Sequence, residues 1–304
     1  MKNLIINADD FGFDVDRDLG IVFLASTKCI SSISVIVTNQ KSYRRIKKLI
    51  KLVKFLSPSV TVGLHLNLTD CKLLTCRQED ICDISKIYDN PKITFWYHTT
   101  KNTYNITNIK MEIKKQIDLF YKLFNFYPHH IDGHNHCHIS NTEIFNKLIE
   151  IANIYNIRNV RFPNEKLNDY KLAKINKDYK NFLLHNLKPE FLAPRMMTNP
   201  LYDIYLYRNC CININSSISH IEFLGTVYGH IRTYKFLTES IKDACDNNTY
   251  ELMVHPGFYC PFIFKHSVPF SNIERLQELI NLIKLKFLHK NYKINLINQF
   301  KKPL

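Results

Sequence analysis

Asn7-Ala8-Asp9-Asp10-Phe11-Gly12 directly follows the apolar, β-branched run Leu4-Ile5-Ile6. Leu4–Ile6 has the pattern of a strand buried on both faces. Two carboxylates stand side by side where that strand should stop, and Gly12 marks the break. Side chains of an extended chain alternate between faces. Neighbouring acids can therefore serve one place only if the strand ends there. Taken alone, the pair reads as turn or helix-capping acids. The rest of the chain changes that reading, because other strands carry a polar residue at the same point.

Working outward, Asp14 to Lys28 is expected to be a helix and Ser32 to Thr38, which alternates, a second strand. Arg44 to Lys54 places apolar residues at helical spacing under a lysine-rich face, and Pro58 closes that helix. Val60 to Leu68 is a third strand. Residues 69–107 are weakly patterned and read as an excursion that could overhang a site. Met111 to Phe126 is a helix, His129 to His138 a short strand, Thr142 to Tyr155 a helix, and Asn159 to Phe162 a strand stopped by Pro163. Lys166 to Pro194 reads as irregular. Ile221 to Thr226, Tyr250 to Val254 and Tyr292 to Ile297 are strands, with helices at Tyr234 to Cys245 and Ser271 to Leu288. Strands alternating with helices imply an α/β fold with a parallel sheet. Seven or eight such units, with no linker or repeat, imply a single domain over residues 1–304 built as an imperfect, distorted TIM-like (β/α) barrel.

Composition narrows the function classes. The formal charge is +14, with 41 Lys and Arg against 27 Asp and Glu. The basic residues are spread along the chain and no RNA-binding signature accompanies them, so a nucleic-acid partner is not expected. Nine cysteines without a CxxC pair read as reduced thiols of an intracellular protein. No charged-then-apolar leader opens the sequence, and no run approaches the ~18 apolar residues of a membrane span. A cytoplasmic location without a membrane partner is the expectation.

In a parallel barrel the strand ends share one rim, where loops build active sites. Asp9 and Asp10, His65, His134 with its neighbours, Arg161 and His255 all fall at such ends. One Asp and two His make a three-point set for a divalent ion. A second Asp can take a proton from water, an Arg can hold that Asp ionised, and a further His can protonate a leaving group. The run His129-His130-Ile131-Asp132-Gly133-His134-Asn135-His136-Cys137-His138 is dense enough to implicate a metal. If it were extended, His130, Asp132, His134, His136 and His138 would share a face, and they could not all reach one ion. A separate zinc site using Cys137 is the rival, and it lacks Cys/His partner spacing.

Five motifs in order, residues 7–12, Gly-Leu-His-Leu-Asn-Leu-Thr (63–69), His-Ile-Asp-Gly-His-Asn-His-Cys-His (130–138), Arg-Phe-Pro (161–163) and Glu-Leu-Met-Val-His-Pro-Gly (251–257), resemble the YdjC-like carbohydrate deacetylases, the ChbG/HpnK family. The forms of the fourth-strand motif and of Val-His-Pro-Gly look most like eukaryotic members. The resemblance covers most of the chain and implies a barrel related to polysaccharide deacetylases. It implies removal of an N-acetyl group from an amino sugar or chito-oligosaccharide. By matched position, Asp10, His65 and His134 would bind the metal and Asp9 would be the base. Arg161 would orient that base, and His255 would be the acid. The cofactor is one divalent ion, Mg or Zn, with a His₂Asp set leaning to a transition metal. His136, His138, Phe258 and Tyr259 are candidates for sugar contacts. A metal-dependent phosphoester hydrolase on the same barrel and a non-catalytic sugar-binding protein are the alternatives. The oligomeric state is open, a homodimer included.

Overall fold

A computed structural model of the chain describes residues 2–69, 73–75, 81, 91–163, 221–225, 233–242, 244, 247–259, 272–288 and 294–297. The described strands are β1 (Lys2–Phe11), β2 (Ser32–Val35), β3 (Thr61–Leu66), β4 (Ile131–Gly133), β5 (Glu222–Leu224), β6 (Thr249–Val254) and β7 (Ile294–Leu296). All pair in parallel in the order β4-β3-β2-β1-β6-β5, with β7 against the start of β1. The described helices are α1 (Val15–Ser26), α2 (Tyr43–Leu56), α3 (Pro91–Lys101), α4 (Ile106–Phe124), α5 (Thr142–Ile154), α6 (Tyr234–Lys242) and α7 (Asn272–Leu288). None is long and apolar enough to cross a membrane.

Register separates the two faces of the sheet. Leu4, Ile6, Ala8, Ile33, Val35, Val62, Leu64, Leu66, Ile131, Leu252 and Val254 belong to one core cluster. Helical residues such as Leu24, Ile50, Ile117, Phe120, Leu148 and Leu282 complete it. Burying a side chain of that size stabilises by roughly 1.5–3 kcal/mol. The opposite face carries Asn7, Ser34, His65, Asp132 and Glu251, all of them buried. Parallel strands covered on both sides are ordinarily apolar throughout, so this polar face marks the place where function is built.

That face is rolled inward. Val160 bridges to β4, and the next residue, Arg161, donates Nε to Glu251 Oε1 of β6 at 2.7 Å. In a flat sheet five strand spacings would separate them by about 24 Å, beyond the reach of any side chain. The sheet therefore curls into a half-barrel, as the alternation of elements implied.

Several local expectations change. β1 does not end at the acids but runs to Phe11, with its register to β2 shifting between Ala8 and Phe11. Asp10 sits there at φ 69°, a left-handed conformation that Asp tolerates better than most residues. A bulge, not a strand end, lets consecutive acids reach one site. Gly12 follows at φ +98°, with room for no Cβ beside Ile36 O. The His-rich run is strand only at Ile131–Gly133, then turns as a 3-10 segment (His134–Ile139) with Asn135 and His136 both at φ 51°. The expectation of five polar side chains on one extended face fails for this reason.

Between residues 69 and 107, Pro91–Lys101 is helical and buries Phe95 and Trp96 fully. α4 starts five residues before Met111, because Asn105 accepts from Thr107 N at 3.0 Å and Asn108 N at 3.1 Å and so caps the helix. The expected strand Asn159–Phe162 is a single bridge at Val160. Lys166 to Pro194 lies outside the described residues.

Candidate active site

Asp9 and Asp10 leave β1 with different partners. Asp9 is held by Arg161 in a two-point pair, Nη1 to Oδ2 at 2.6 Å and Nη2 to Oδ1 at 2.8 Å. Asn7 Nδ2 also donates to Asp9 Oδ1 at 2.7 Å. The same guanidinium reaches Asp132 Oδ2 at 2.8 Å and Glu251 Oε1 at 2.6 Å. One buried cation thus serves three buried carboxylates. Burial opposes the charge on Arg161, but Asp132, Asp9 and Glu251 outweigh it and keep the side chain charged. Burial raises Glu251 to about 7, even against the pull of Arg161.

Asp10 turns its Oδ1 towards two imidazoles, His134 Nδ1 at 2.9 Å and His65 Nε2 at 3.4 Å. The buried Oδ1 accepts no hydrogen bond of good geometry from them. Its other oxygen faces Arg17 Nη1 and Arg275 Nη2, each at 3.2 Å. Burial works against ionisation of Asp10, yet His134 and Arg17 hold its carboxyl well below the usual range. His65 comes from β3, and its Nδ1 meets Asp132 Oδ1 at 2.7 Å. A carboxylate on one ring nitrogen fixes the tautomer and presents the other, the arrangement that orients metal-binding histidines.

The Asp10, His65 and His134 atoms lie within 4.8 Å of one another, close enough to hold a metal ion. Three observations fit that group: hard and borderline donors together, an orphaned buried oxygen, and a pull on positive charge. Burial disfavours a charged ring at His65, but the charges of Asp132 and Asp9, the nearness of Asp10 and the hydrogen bond with Asp132 raise it to about 10. A proton on that ring satisfies the field that a cation would otherwise satisfy. Asp9, His65 and Asp132 are also close enough to form a group. Their oxygens, however, are already engaged by Arg161, Asn7, Ser34 and His65.

His255 follows β6 and lies near enough to Asp10 and Asp9 for both charges to act on its ring, although burial dominates and pushes it down to about 4. Its backbone N–H donates to Glu278 Oε2 at 2.6 Å. The structure thus gathers Asp9, Asp10, His65, His134, Arg161 and His255 at one mouth. The proposed sugar contacts are more dispersed. His138 is fully buried, with Nε2 at 2.9 Å from the Arg161 carbonyl oxygen, and so braces Arg161 from behind. His136 stands edge-on to Phe223 at 6.1 Å. Phe258 packs against Phe23 of α1, ring centres 5.8 Å apart, and Tyr259 is half-buried next to it.

Sequence reasoning named neither Glu251 as a site residue nor Arg17, Arg275 and Glu278 at all. Glu251 carried a signal, a lone charge inside the apolar run Tyr250–Val254. The two arginines look like ordinary polar residues near helix starts.

A family model described as YdjC-like protein matches residues 3–289. Carbohydrate deacetylase 2 of Listeria innocua is 25% identical over 296 residues, 95% of this chain and 94% of that protein. A chitooligosaccharide deacetylase of Proteus mirabilis is 29% identical over 151 residues, 49% of this chain and 54% of its own length. A carbohydrate deacetylase of Xenopus laevis is 27% identical over 161 residues, 51% of this chain and 50% of its own length. The chain thus spans about half the length of these last two relatives. A crystal structure from Enterococcus faecalis, described as a cellobiose-phosphate cleavage protein, superimposes with a TM-score of 0.64 at 20% identity, covering 98% of this chain and 97% of its own. That likeness concerns the fold.

Proposed function

The chain belongs to the YdjC-like family, and from that premise we propose that it is a metal-dependent hydrolase removing the N-acetyl group of an amino sugar or chito-oligosaccharide. One observation carries the reading. The β1 bulge aims two neighbouring carboxylates at one mouth and gives them unlike partners, Arg161 for Asp9 and two imidazoles for Asp10. Such a division suits one acid to proton transfer and the other to a cation. The deacetylase names of the relatives support the substrate class.

Asp10, His65 and His134 would hold the ion, which when bound supplies Lewis acidity towards a carbonyl and a water molecule. Asp9 takes the proton of the attacking water. Arg161 fixes both oxygens of Asp9 in the plane of the pair, and among the described residues Oδ2 accepts one hydrogen bond, from Nη1. A lone pair therefore stays available on that oxygen. Asp132 keeps the Nε2 of His65 turned towards the ion's place. His255 hands a proton to the departing amine nitrogen. Because burial keeps its imidazole neutral at pH 7, it must gain a proton during turnover before it can give one. The products are acetate and a free amino sugar.

The test is incubation with N-acetylated mono- and oligosaccharides, with and without chelator, assayed for acetate and, in parallel with sugar phosphates, for phosphate. Chelator-sensitive acetate release supports the reading. Phosphate release without acetate replaces it with a phosphoester hydrolase, and tight sugar binding without turnover replaces it with a binding protein.

A further inference from the structure

Arg275 touches both ends of the site. Its Nη2 lies 3.2 Å from Asp10 Oδ2, and its Nη1 donates to the His255 carbonyl at 3.3 Å. Three residues further along α7, Glu278 accepts from the His255 N–H at 2.6 Å. The first turns of this helix therefore grip the His255 peptide by both its polar groups. Gly257 N donates to the Arg275 carbonyl at 3.3 Å, and Phe258 N donates to Asp16 O of α1 at 3.0 Å. A Cβ at Gly20 would meet Gly257 Cα at 2.8 Å, so the loop after β6 lies directly on α1. From α1 comes Arg17, stacked over Phe13 at 3.9 Å, paired with Asp14 at 3.0 Å and reaching Asp10 Oδ2 at 3.2 Å.

Resting on the metal-site reading above, we propose that Arg17 and Arg275 are positioning residues. They hold Asp10 as a one-oxygen ligand, and Arg275 fixes the spacing between that ligand and His255. A carboxylate with both oxygens free can swing to chelate. Here chelation would strip Oδ2 from two buried guanidiniums, a loss of charge-assisted contacts. Keeping Asp10 to one oxygen leaves coordination positions open for water and substrate. Arginine suits the double task because separate nitrogens of one rigid fork reach Asp10 and the His255 carbonyl, whereas lysine offers a single nitrogen.

The test uses the full chain loaded with cobalt(II), whose visible absorption weakens as coordination number rises, together with chelator competition and steady-state kinetics on an N-acetylated chito-oligosaccharide. Arg275→Met keeps the packing of the side-chain stem. It should still bind cobalt but with weaker absorption, and kcat should fall about ten- to hundredfold with KM within about twofold. Arg275→Lys should restore the spectrum and recover kcat only in part. Arg17→Met should weaken the absorption as well, which keeps the idea testable if Arg275→Met does not fold. Wild-type spectra in Arg17→Met and Arg275→Met, or in Arg17→Met alone should the other not fold, would overturn the proposal, as would a wild-type chain that takes up no cobalt. Cobalt uptake without acetate release would sink the deacetylase reading while the spectra still judged the clamp.

Discussion

Replacing Arg161 by Met removes the cation that, among the described residues, Asp9, Asp132 and Glu251 share. The side chain is 1% exposed and contacts the three carboxylates at 2.6–2.8 Å. Breaking a buried pair from one side costs about 3–5 kcal/mol, against a typical total stability of about 5–15 kcal/mol. We expect Arg161→Met to lose that much at pH 8 and less at pH 5. The sign follows from the carboxyls. Burial notwithstanding, Arg161 and His65 hold Asp132 below the ordinary range, so its contribution is present above the unfolded value and lost as pH falls. That loss sets in only below the unfolded carboxylate value of about 4, so Asp132 contributes equally at pH 5 and pH 8 and the difference comes from Glu251. Glu251 is raised to about 7 by burial, and losing Arg161 raises it further. At pH 5 it is protonated in both proteins. That rise makes the deficit at pH 8 larger than at pH 5 by up to about 1.4 kcal/mol, because once the value passes 8 the group stays protonated at pH 8 and nothing more is added. Urea unfolding of the metal-free protein, followed by circular dichroism and by fluorescence of the single, fully buried Trp96, measures both values. A loss below ~1 kcal/mol at pH 8, or a larger loss at pH 5 than at pH 8, would refute the reasoning.

Three further outcomes follow from the same network. Asp9→Asn should keep its metal and lose turnover by about 10²-fold or more, read as metal content by mass spectrometry beside acetate release; normal turnover removes the base assignment. Asp132→Asn should weaken metal binding by about 10–100-fold by leaving His65 unoriented, and unchanged affinity in chelator competition would show that His65 needs no such support. Glu251 keeps its proton in the folded state up to about pH 7 and loses it in the unfolded chain at lower pH. The Glu251 contribution to stability should therefore fall as pH rises from 5 to 8, against the opposite contribution of His130, His138 and His255, which burial pushes down to about 4, and Glu251→Gln should remove that fall in urea unfolding; an unaltered pH dependence assigns it to other groups.

The parallel α/β character was legible because helix-period and strand-period segments alternate, and their register is set by apolar residues facing the helices. The candidate residues stood out in the sequence because each lies at or beside the end of a segment with strand pattern. What misled was local backbone. Nothing in Asp9-Asp10 distinguishes a strand end from a bulge, since both need one residue outside the β region, and Asp10 supplies it at φ 69°. Asn135 and His136 likewise turn the His-rich run by adopting positive φ, which Asn favours but does not demand. Arg17 and Arg275 gave no signal because the role proposed for them depends on the loop after β6 meeting α1 at Gly20 and Gly257, a tertiary fact. Helix Pro91–Lys101 was obscured by weak periodicity, since its buried face is built on adjacent aromatics, Phe95 and Trp96.

The most direct test of the site compares wild-type protein with His134→Ala, each stripped of metal and then given one equivalent of zinc, with bound metal and acetate release from an N-acetylated chito-oligosaccharide measured on the same samples. We expect the wild type to retain zinc and release acetate only when loaded, and His134→Ala to do neither. Full activity in the stripped wild type, or undiminished zinc retention and turnover in His134→Ala, would contradict a metal centre built on Asp10, His65 and His134.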